Sequence, residues 1–352
     1  MEYKKKIIIS SFGINTGGGL ILLNELLRNN YYIKRILIDE RLKKNKIKKV
    51  QKIYVKKNYL SRIIIFIREI LNCSKQDTLI CFNNIPPLIR PKCKSILFLQ
   101  NAFYISETNL SLSFFKKFKI YILRKIFITF LKNVDEIYVQ NSYLKQILFK
   151  KIKDKNLSKK IKIHQILLVP EVIAKKIINR KKKLLSKNIK KNFFYPASYD
   201  LHKNHLNLFK AFKSLSDKNI RLYITLNKKD FLSLKNTLNL NSSNLKKIIN
   251  LGEVPYKKMR KYYRSCNLIF PSFLESSGLP LYEAYAYGSP IFASKKKFVT
   301  DNFRNIITFE PNNYRSIKNA VQLGLKNNLN NVALKLNNKF IYSGKKFLKQ
   351  LI

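Results

Sequence analysis

Two carboxylates eight positions apart, Glu275 and Glu283, flank a short turn made by Ser276, Ser277 and Gly278. The turn opens a helix, because Leu279 is followed by Pro280, whose missing N–H costs nothing in a first helical turn. Free backbone N–H groups from Ser277 to Leu279, with the positive end of that helix, attract phosphate oxygens. A carboxylate beside a phosphate site is repulsive, so Glu275 and Glu283 fit better as acceptors for sugar hydroxyls. A diphosphate on the helix end with sugars on the carboxylates is the chemistry of a nucleotide-sugar site. The same spacing also suits a solvated helix face with two incidental glutamates. Spacing alone does not choose between them.

Several elements must position these groups. Residues 267–270 read as a short buried strand feeding the turn. In the helix, Leu281, Ala284, Tyr285 and Gly288 follow i, i+3, i+4, i+7 and predict one packing face. Glu283 then lies roughly 150° from the centre of that face, on the exposed side. Gly288 and Pro290 end the helix, and residues 291–293 enter another strand. Upstream, a strand over 192–197 leads through Ser198 to Lys203, set between His202 and the pair Asn204-His205, before a helix over 206–215. The two histidines are expected to hold the turn. Further strands at 221–226 and 247–251, Gly252 and a helix over 256–264 complete the approach; a strand at 305–309 and a helix over 314–325 follow.

The first half of the chain alternates in the same way. A strand over 6–10 precedes a glycine-rich loop over 12–19 that includes Gly17, Gly18 and Gly19, and a helix starts at Leu20. The loop lacks the G-x-G-x-x-G spacing and the P-loop lysine, so it reads equally as a phosphate-side loop or as a turn needing permissive backbone. Strands are expected at 33–38, 78–82, 95–100, 136–140 and 163–169. Gln100 and Asn101 leave the C-terminal end of their strand, where open parallel sheets place ligands, and their amides can bond sugar hydroxyls. Asn141 is expected to cap a helix. Residues 112–132 mix Phe and Ile with Lys and Arg. Such a helix can lie on an anionic membrane, but its apolar residues run nearly all the way round, so the expectation is a largely buried helix with lysines reaching outward.

The chain has 352 residues, enough for two domains, and 46% of them are hydrophobic, enough for real cores. Its formal charge of +52 implies affinity for a polyanionic surface. Much of the lysine excess, alongside abundant Asn and Ile, is also what AT-rich codon usage produces. Nucleic acid is disfavoured as a partner, since the aromatics fall in periodic core positions and make no basic stacking platform. Four cysteines (Cys73, Cys81, Cys93 and Cys266) have no C-x-x-C spacing, and with three histidines they form no metal-ligand pattern, which suggests a cytoplasmic compartment. The start, MEYKKKIIISSFG, reads as a first strand and not a signal peptide. No run reaches the roughly 18 apolar residues of a membrane span.

The framing P-S-x-x-E-S-x-G-L-P-x-x-E-A-x-A-x-G-x-P around Glu275 and Glu283 resembles the E-x7-E signature of the family 4 retaining glycosyltransferases, the group 1 enzymes with the GT-B fold. The resemblance is strong over 192–325 and weak before it. It implies an α/β protein of two facing Rossmann-like domains with a cleft between them. Residues 1–175 would form the acceptor-side domain, 176–191 a linker and 192–335 the nucleotide-sugar domain. Residues 336–352 would be a helix returning to the first domain. By the same resemblance, Glu275 contacts the transferred sugar, Lys203 the donor diphosphate and Glu283 the ribose. Ser276, Ser277, Gly278, Leu279, Ser198 and Gly252 would line the donor site; Gly17, Gly18, Gly19, Gln100 and Asn101 the acceptor and diphosphate side. Ser198 stands where the family has an arginine, and Gln100-Asn101 where many members have a histidine.

The implied reaction moves a hexose from a UDP- or GDP-sugar to a hydroxyl of a lipid-linked glycan, for surface polysaccharide or lipopolysaccharide, at the inner face of the cell membrane. No D-x-D motif lies at a strand end, so neither a metal nor a cofactor is expected. A non-catalytic GT-B subunit and a GT-B sugar-nucleotide epimerase are the alternatives.

Overall fold

The computed structural model describes residues 6–43, 50–107, 113–157, 160–180, 189–327, 333–335 and 337–352. The chain divides into two units, one running to Ala174 and taking in Lys339–Ile352, the other Lys175–Asn338. The first unit begins with β1 (Ile7–Ser10), α1 (Gly17–Leu27), β2 (Ile33–Asp39), β3 (Gln51–Val55) and α2 (Tyr59–Leu71). It continues with β4 (Thr78–Cys81), β5 (Lys94–Phe98), α3 (Phe114–Phe130), β6 (Glu136–Val139), α4 (Ser142–Lys153), β7 (Lys162–Gln165) and β8 (Leu167–Leu168). Seven strands form a parallel sheet in the order β3-β2-β1-β4-β5-β6-β7. β1 and β4 are buried along their whole length, as strands covered on both faces must be.

α5 (Glu171–Ile178) carries the chain into the second unit. There follow β9 (Asn192–Tyr195), α6 (His205–Lys213), β10 (Arg221–Ile224), α7 (Lys228–Thr237), α8 (Ser242–Lys247), β11 (Ile248–Asn250) and α9 (Tyr256–Ser265). Then come β12 (Asn267–Phe270), α10 (Leu279–Tyr287), β13 (Ile291–Ser294), α11 (Lys297–Thr300), β14 (Phe303–Arg304), β15 (Ile307–Phe309), α12 (Tyr314–Asn327) and β16 (Ala333–Leu334). The parallel order is β11-β10-β9-β12-β13-β15. Both sheets therefore grow outward one way and then reverse, at β1/β4 in one and at β9/β12 in the other. A reversal leaves a crevice at the carboxyl ends of the two strands concerned, and open α/β sheets bind ligands there.

Asparagine does much of the local work. Five non-glycine residues have positive φ among the described residues (Asn84, Asn156, Asn204, Asn239 and Asn305), and asparagine tolerates that region better than other residues. As expected, Asn141 caps α4, accepting from Leu144 N at 2.7 Å.

Four expectations need correction. Gly17 to Gly19 form the first turn of α1, which starts before Leu20. The strand expected over 163–169 is two, β7 in the main sheet and β8 paired elsewhere. The expected linker is helical through Ile178, and its residues 181–188, with the basic run Lys181 to Lys183, lie outside the described residues. The helix expected near the end is confined to α13 (Gly344–Gln350) and follows β17 (Ile341–Tyr342), which pairs with β8. α13 starts at its N-cap, Ser343, and Gly344 packs directly on α1: a Cβ there would lie 2.5 Å from Glu25 O. Phe347, Leu348 and Leu351 join the core of the first unit.

α3 also differs from expectation. It is not largely buried; Phe127 is its one fully buried residue, and Leu112 lies outside the described residues.

Candidate active site

The reversal in the second sheet places two loops side by side, the one after β9 and the one after β12. The first carries Lys203 in a 3₁₀ turn (Leu201–Lys203), and the second carries Glu275. Their side chains meet: Lys203 Nζ donates to Glu275 Oε1 at 2.6 Å, both half-buried. Phe273 N donates to His202 O at 2.8 Å, a backbone bond that locks one loop to the other.

Beneath the pair lies Tyr195, the last residue of β9 and completely buried. Its hydroxyl donates to Lys203 O at 2.8 Å and sits 3.0 Å from Ser272 Oγ, so a single phenol braces both loops. Burial, then the nearby Glu275 charge, push its pKa well above the ordinary value, so it stays a protonated donor. Ser294 Oγ donates to Ser272 O at 2.7 Å and ties in the end of β13. Asn204, in the left-handed region at φ 60°, donates to Pro271 O at 3.1 Å and to Pro311 O at 2.6 Å. The His205 ring lies tilted against Tyr195 with centroids 4.9 Å apart, and burial, reinforced by Lys203, lowers its pKa to about 3. It is neutral and packs. His202 Nδ1 lies 3.1 Å from Asp200 Oδ1.

The turn of Ser276, Ser277 and Gly278 runs straight into α10. Gly278 caps that helix at φ 65°, and an added Cβ would approach Leu281 Cδ1 to 2.9 Å. Any other residue there is strained. The free N–H groups at this helix start are those of the early residues, with Pro280 contributing none.

Glu283 departs from expectation. It is 3% exposed and not on a solvated face, because α9 covers that side of α10. The helical periodicity identified the face toward the sheet but held no information about α9. Tyr285, assigned to the packing face, is only half-buried. Tyr263 donates its hydroxyl to Glu283 Oε2. Burial raises the Glu283 pKa to about 7, with Tyr256 and Tyr263 pulling it back. Oε1 has no hydrogen-bond partner among the described residues. A buried carboxylate oxygen left unmatched is costly unless a ligand supplies a donor.

Ser198 is exposed on the loop after β9, and Gly252, at φ 69°, follows β11. Both lie at the carboxyl end of the sheet. No described hydrogen bond links either to the Lys203–Glu275 pair.

In the first unit the expected residues are held by their own neighbours. Gln100 Nε2 donates to Phe82 O at 2.6 Å, and the backbone N–H groups of Gln100 and Asn101 donate to Asn84 Oδ1 at 2.5 and 2.9 Å. Asn101 Oδ1 accepts from Phe103 N at 2.9 Å. Gln100 Oε1 also sits 3.3 Å from where a Gly19 Cβ would be, so the amide packs on α1, while nothing lies within 4 Å of Cβ positions at Gly17 and Gly18. These amides clamp the ends of β4 and β5.

Tyr195, Ser272, Tyr256 and Tyr263 escaped the sequence reading. The one available signal was Tyr195, a hydroxyl ending an otherwise apolar strand; the others depend on which elements touch.

Residues 176–347 match the family model described as glycosyl transferases group 1. Among curated proteins none matches the chain. Solved structures match over nearly the full length. A sucrose-phosphate synthase from Thermosynechococcus elongatus is 13% identical, with a TM-score of 0.64, over 99% of this chain and 95% of that one. A trehalose-6-phosphate protein from E. coli bound with UDP-2-fluoro glucose is 13% identical, with a TM-score of 0.61, over 92% of each chain. A UDP-forming α,α-trehalose-phosphate synthase from Burkholderia xenovorans, in complex with glucose-6-phosphate, is 10% identical, with a TM-score of 0.61, over 92% and 93%. At such identities the likeness establishes the fold. It is GT-B, an α/β fold of two Rossmann-like domains.

Proposed function

We propose that the protein is a retaining, metal-independent glycosyltransferase that moves a hexose from a UDP- or GDP-sugar to a hydroxyl acceptor. The observation that carries this reading is the Lys203–Glu275 pair at the reversal of the second sheet, set beside the α10 N-terminus. The donor diphosphate lies against Lys203 and the N–H groups at Gly278 and Leu279, which together stabilise the charge that grows on the leaving nucleotide. Phosphate displaces the Lys203 ammonium from Glu275, whose carboxylate then accepts from hydroxyls of the transferred sugar. Glu283 Oε1 accepts from the ribose. Tyr195 holds both loops in register throughout. No cofactor takes part, the nucleotide-sugar being a substrate. Retention follows if nucleotide departure and acceptor attack share one face of the sugar.

The matched family model supports the activity class. The neighbours described as UDP-forming make a UDP-sugar the first donor to test. The acceptor we propose is a glycan linked to a lipid at the cytoplasmic membrane face, for surface polysaccharide or lipopolysaccharide. The formal charge of +52 draws the protein to anionic lipid. Among the described residues no helix is long and apolar enough to cross a membrane, and the association we propose is peripheral.

Thermal denaturation and calorimetry with UDP, GDP, UDP-hexoses and GDP-mannose test the donor. A ligand at about a hundred times its Kd raises stability by about 2.7 kcal/mol. One nucleotide should stabilise the native chain and not Glu283→Ala. Product analysis with lipid-diphosphate glycans against free sugar phosphates then tests the acceptor. If no nucleotide binds, the transferase reading fails.

A further inference from the structure

α3 is fastened to the first unit by one side only. Phe127 is fully buried, its ring 5.7 Å from that of Tyr104. Arg124 Nε donates to Phe103 O at 2.8 Å, and its Nη2 to Ser106 O. At about 100° per residue, the opposite side carries Phe114, Phe115, Phe118, Tyr121 and Ile122 in an arc of about 120° centred directly across from Phe127. These are the large exposed apolar residues of the helix: Phe115 is 83% exposed and Phe114 76%. Phe114 stacks on Phe118 at 6.4 Å and meets Phe115 edge-on at 6.0 Å, so the rings make one continuous patch. Lys117 and Lys119 fall at the two margins of the arc, about 100° on either side of its centre. Lys125 lies over the Tyr121 ring at 5.4 Å.

We propose that this outer face of α3 inserts its aromatic side chains into the headgroup boundary of an anionic lipid bilayer. Five large apolar side chains in water are unfavourable at about 25 cal/mol per Å², and a single-sided patch of this kind marks an interaction site. The pattern of charge selects the occupant. Lysine is depleted from protein–protein contacts, yet here lysines border and cross the patch. Their ammonium groups reach headgroup phosphates while the stems stay with the rings. A second copy of a chain with formal charge +52 is repelled. The two sides of the helix thus differ in the fold: Phe127 and Arg124 hold it to the protein, and the exposed, largely aromatic arc faces lipid. This inference rests on the proposed membrane-linked acceptor for its purpose, but its physical content is independent of the donor site.

The chain contains no tryptophan, so Phe115→Trp gives a single reporter. It is mixed with vesicles of phosphatidylcholine alone, or with about 30 mol % phosphatidylglycerol, at low salt and at about 0.5 M salt. The expected result is a blue-shifted emission with anionic vesicles, quenched by brominated acyl chains. In vesicle sedimentation, Phe114→Ser/Phe115→Ser/Phe118→Ser should weaken the salt-resistant binding on the order of a hundredfold, from the apolar area lost. Circular dichroism and UDP calorimetry on the same variant show whether fold and donor site are intact. The vesicles hold no acceptor, so failure here is separate from failure of the transferase reading. Unshifted emission, a triple variant that still binds like the native chain, or concentration-dependent self-association that the triple variant abolishes would each overturn the proposal.

Discussion

Replacing Glu283 by glutamine keeps the shape of the side chain and the acceptor for Tyr263 but removes the charge. In the folded chain the carboxyl titrates at about 7, against 4.5 as the ordinary value, because it is buried. A folded-state pKa above the unfolded one means that the native state binds the proton more tightly. The associated stability is full below the unfolded pKa and is lost as pH rises through about 7. The loss is of order 3 kcal/mol, from about 1.4 kcal/mol per pKa unit. Glutamine has nothing to lose. The variant should match the native chain near about pH 5 and exceed it near about pH 8 by up to that amount, roughly 6–12 °C in Tm. Urea titrations at several pH values give the difference directly, and all other titrating groups cancel in it. Ribose hydroxyls favour the charged carboxylate, so nucleotide binding to the native protein should release a proton, readable as a buffer-dependent calorimetric enthalpy. That release should vanish in Glu283→Gln. Parallel stability profiles for the two proteins from acid to alkaline pH would refute the buried, high-pKa carboxylate and with it the ribose assignment.

Lys203→Met leaves Glu275 without its ion-pair partner and the leaving nucleotide without its cation; kcat/KM should fall on the order of a hundredfold or more, with a smaller change in nucleotide affinity. Tyr195→Phe keeps the packing but deletes the hydroxyl between Lys203 O and Ser272 Oγ; unfolding free energy should drop by about 1–2 kcal/mol, and kcat should fall more than KM changes. Gly344→Val forces a side chain into Glu25 O, which being backbone cannot swing away; the first unit should lose about 1–3 kcal/mol in denaturation while UDP binding by the second is unaffected.

The strand and helix alternation was legible because parallel strands are uniformly apolar: β12 came out residue for residue, and α9 and α12 nearly so. The glycine at 278 and the proline at 280 fixed the start of α10 by backbone restriction alone. Lys203 and Glu275 were singled out by residue type and resemblance, 72 positions apart, and the structure brings them to 2.6 Å. What stayed hidden depends on contact between elements. Helical phase placed Glu283 opposite the sheet and could not see α9 lying over it. The same phase analysis found α3 apolar all round and missed that its two sides meet different surroundings. Gln100 and Asn101 looked available because a sequence does not show Asn84 and Phe82 taking up their hydrogen-bonding groups.

The pairing of β17 with β8 and the seating of α13 on α1 bear on how the chain is made. Ribosomes deliver it from residue 1 onward, and strands β1 to β7 are complete long before residues 339–352 exist. Until those arrive, the sites that Phe347, Leu348 and Leu351 fill in the core of the first unit stand open to water. The second unit has its whole sheet in one uninterrupted stretch, and its β15 emerges before β17. Synthesis order and folding order therefore cross: the unit begun first is closed last, and throughout elongation its nascent form displays the apolar surface that chaperones bind.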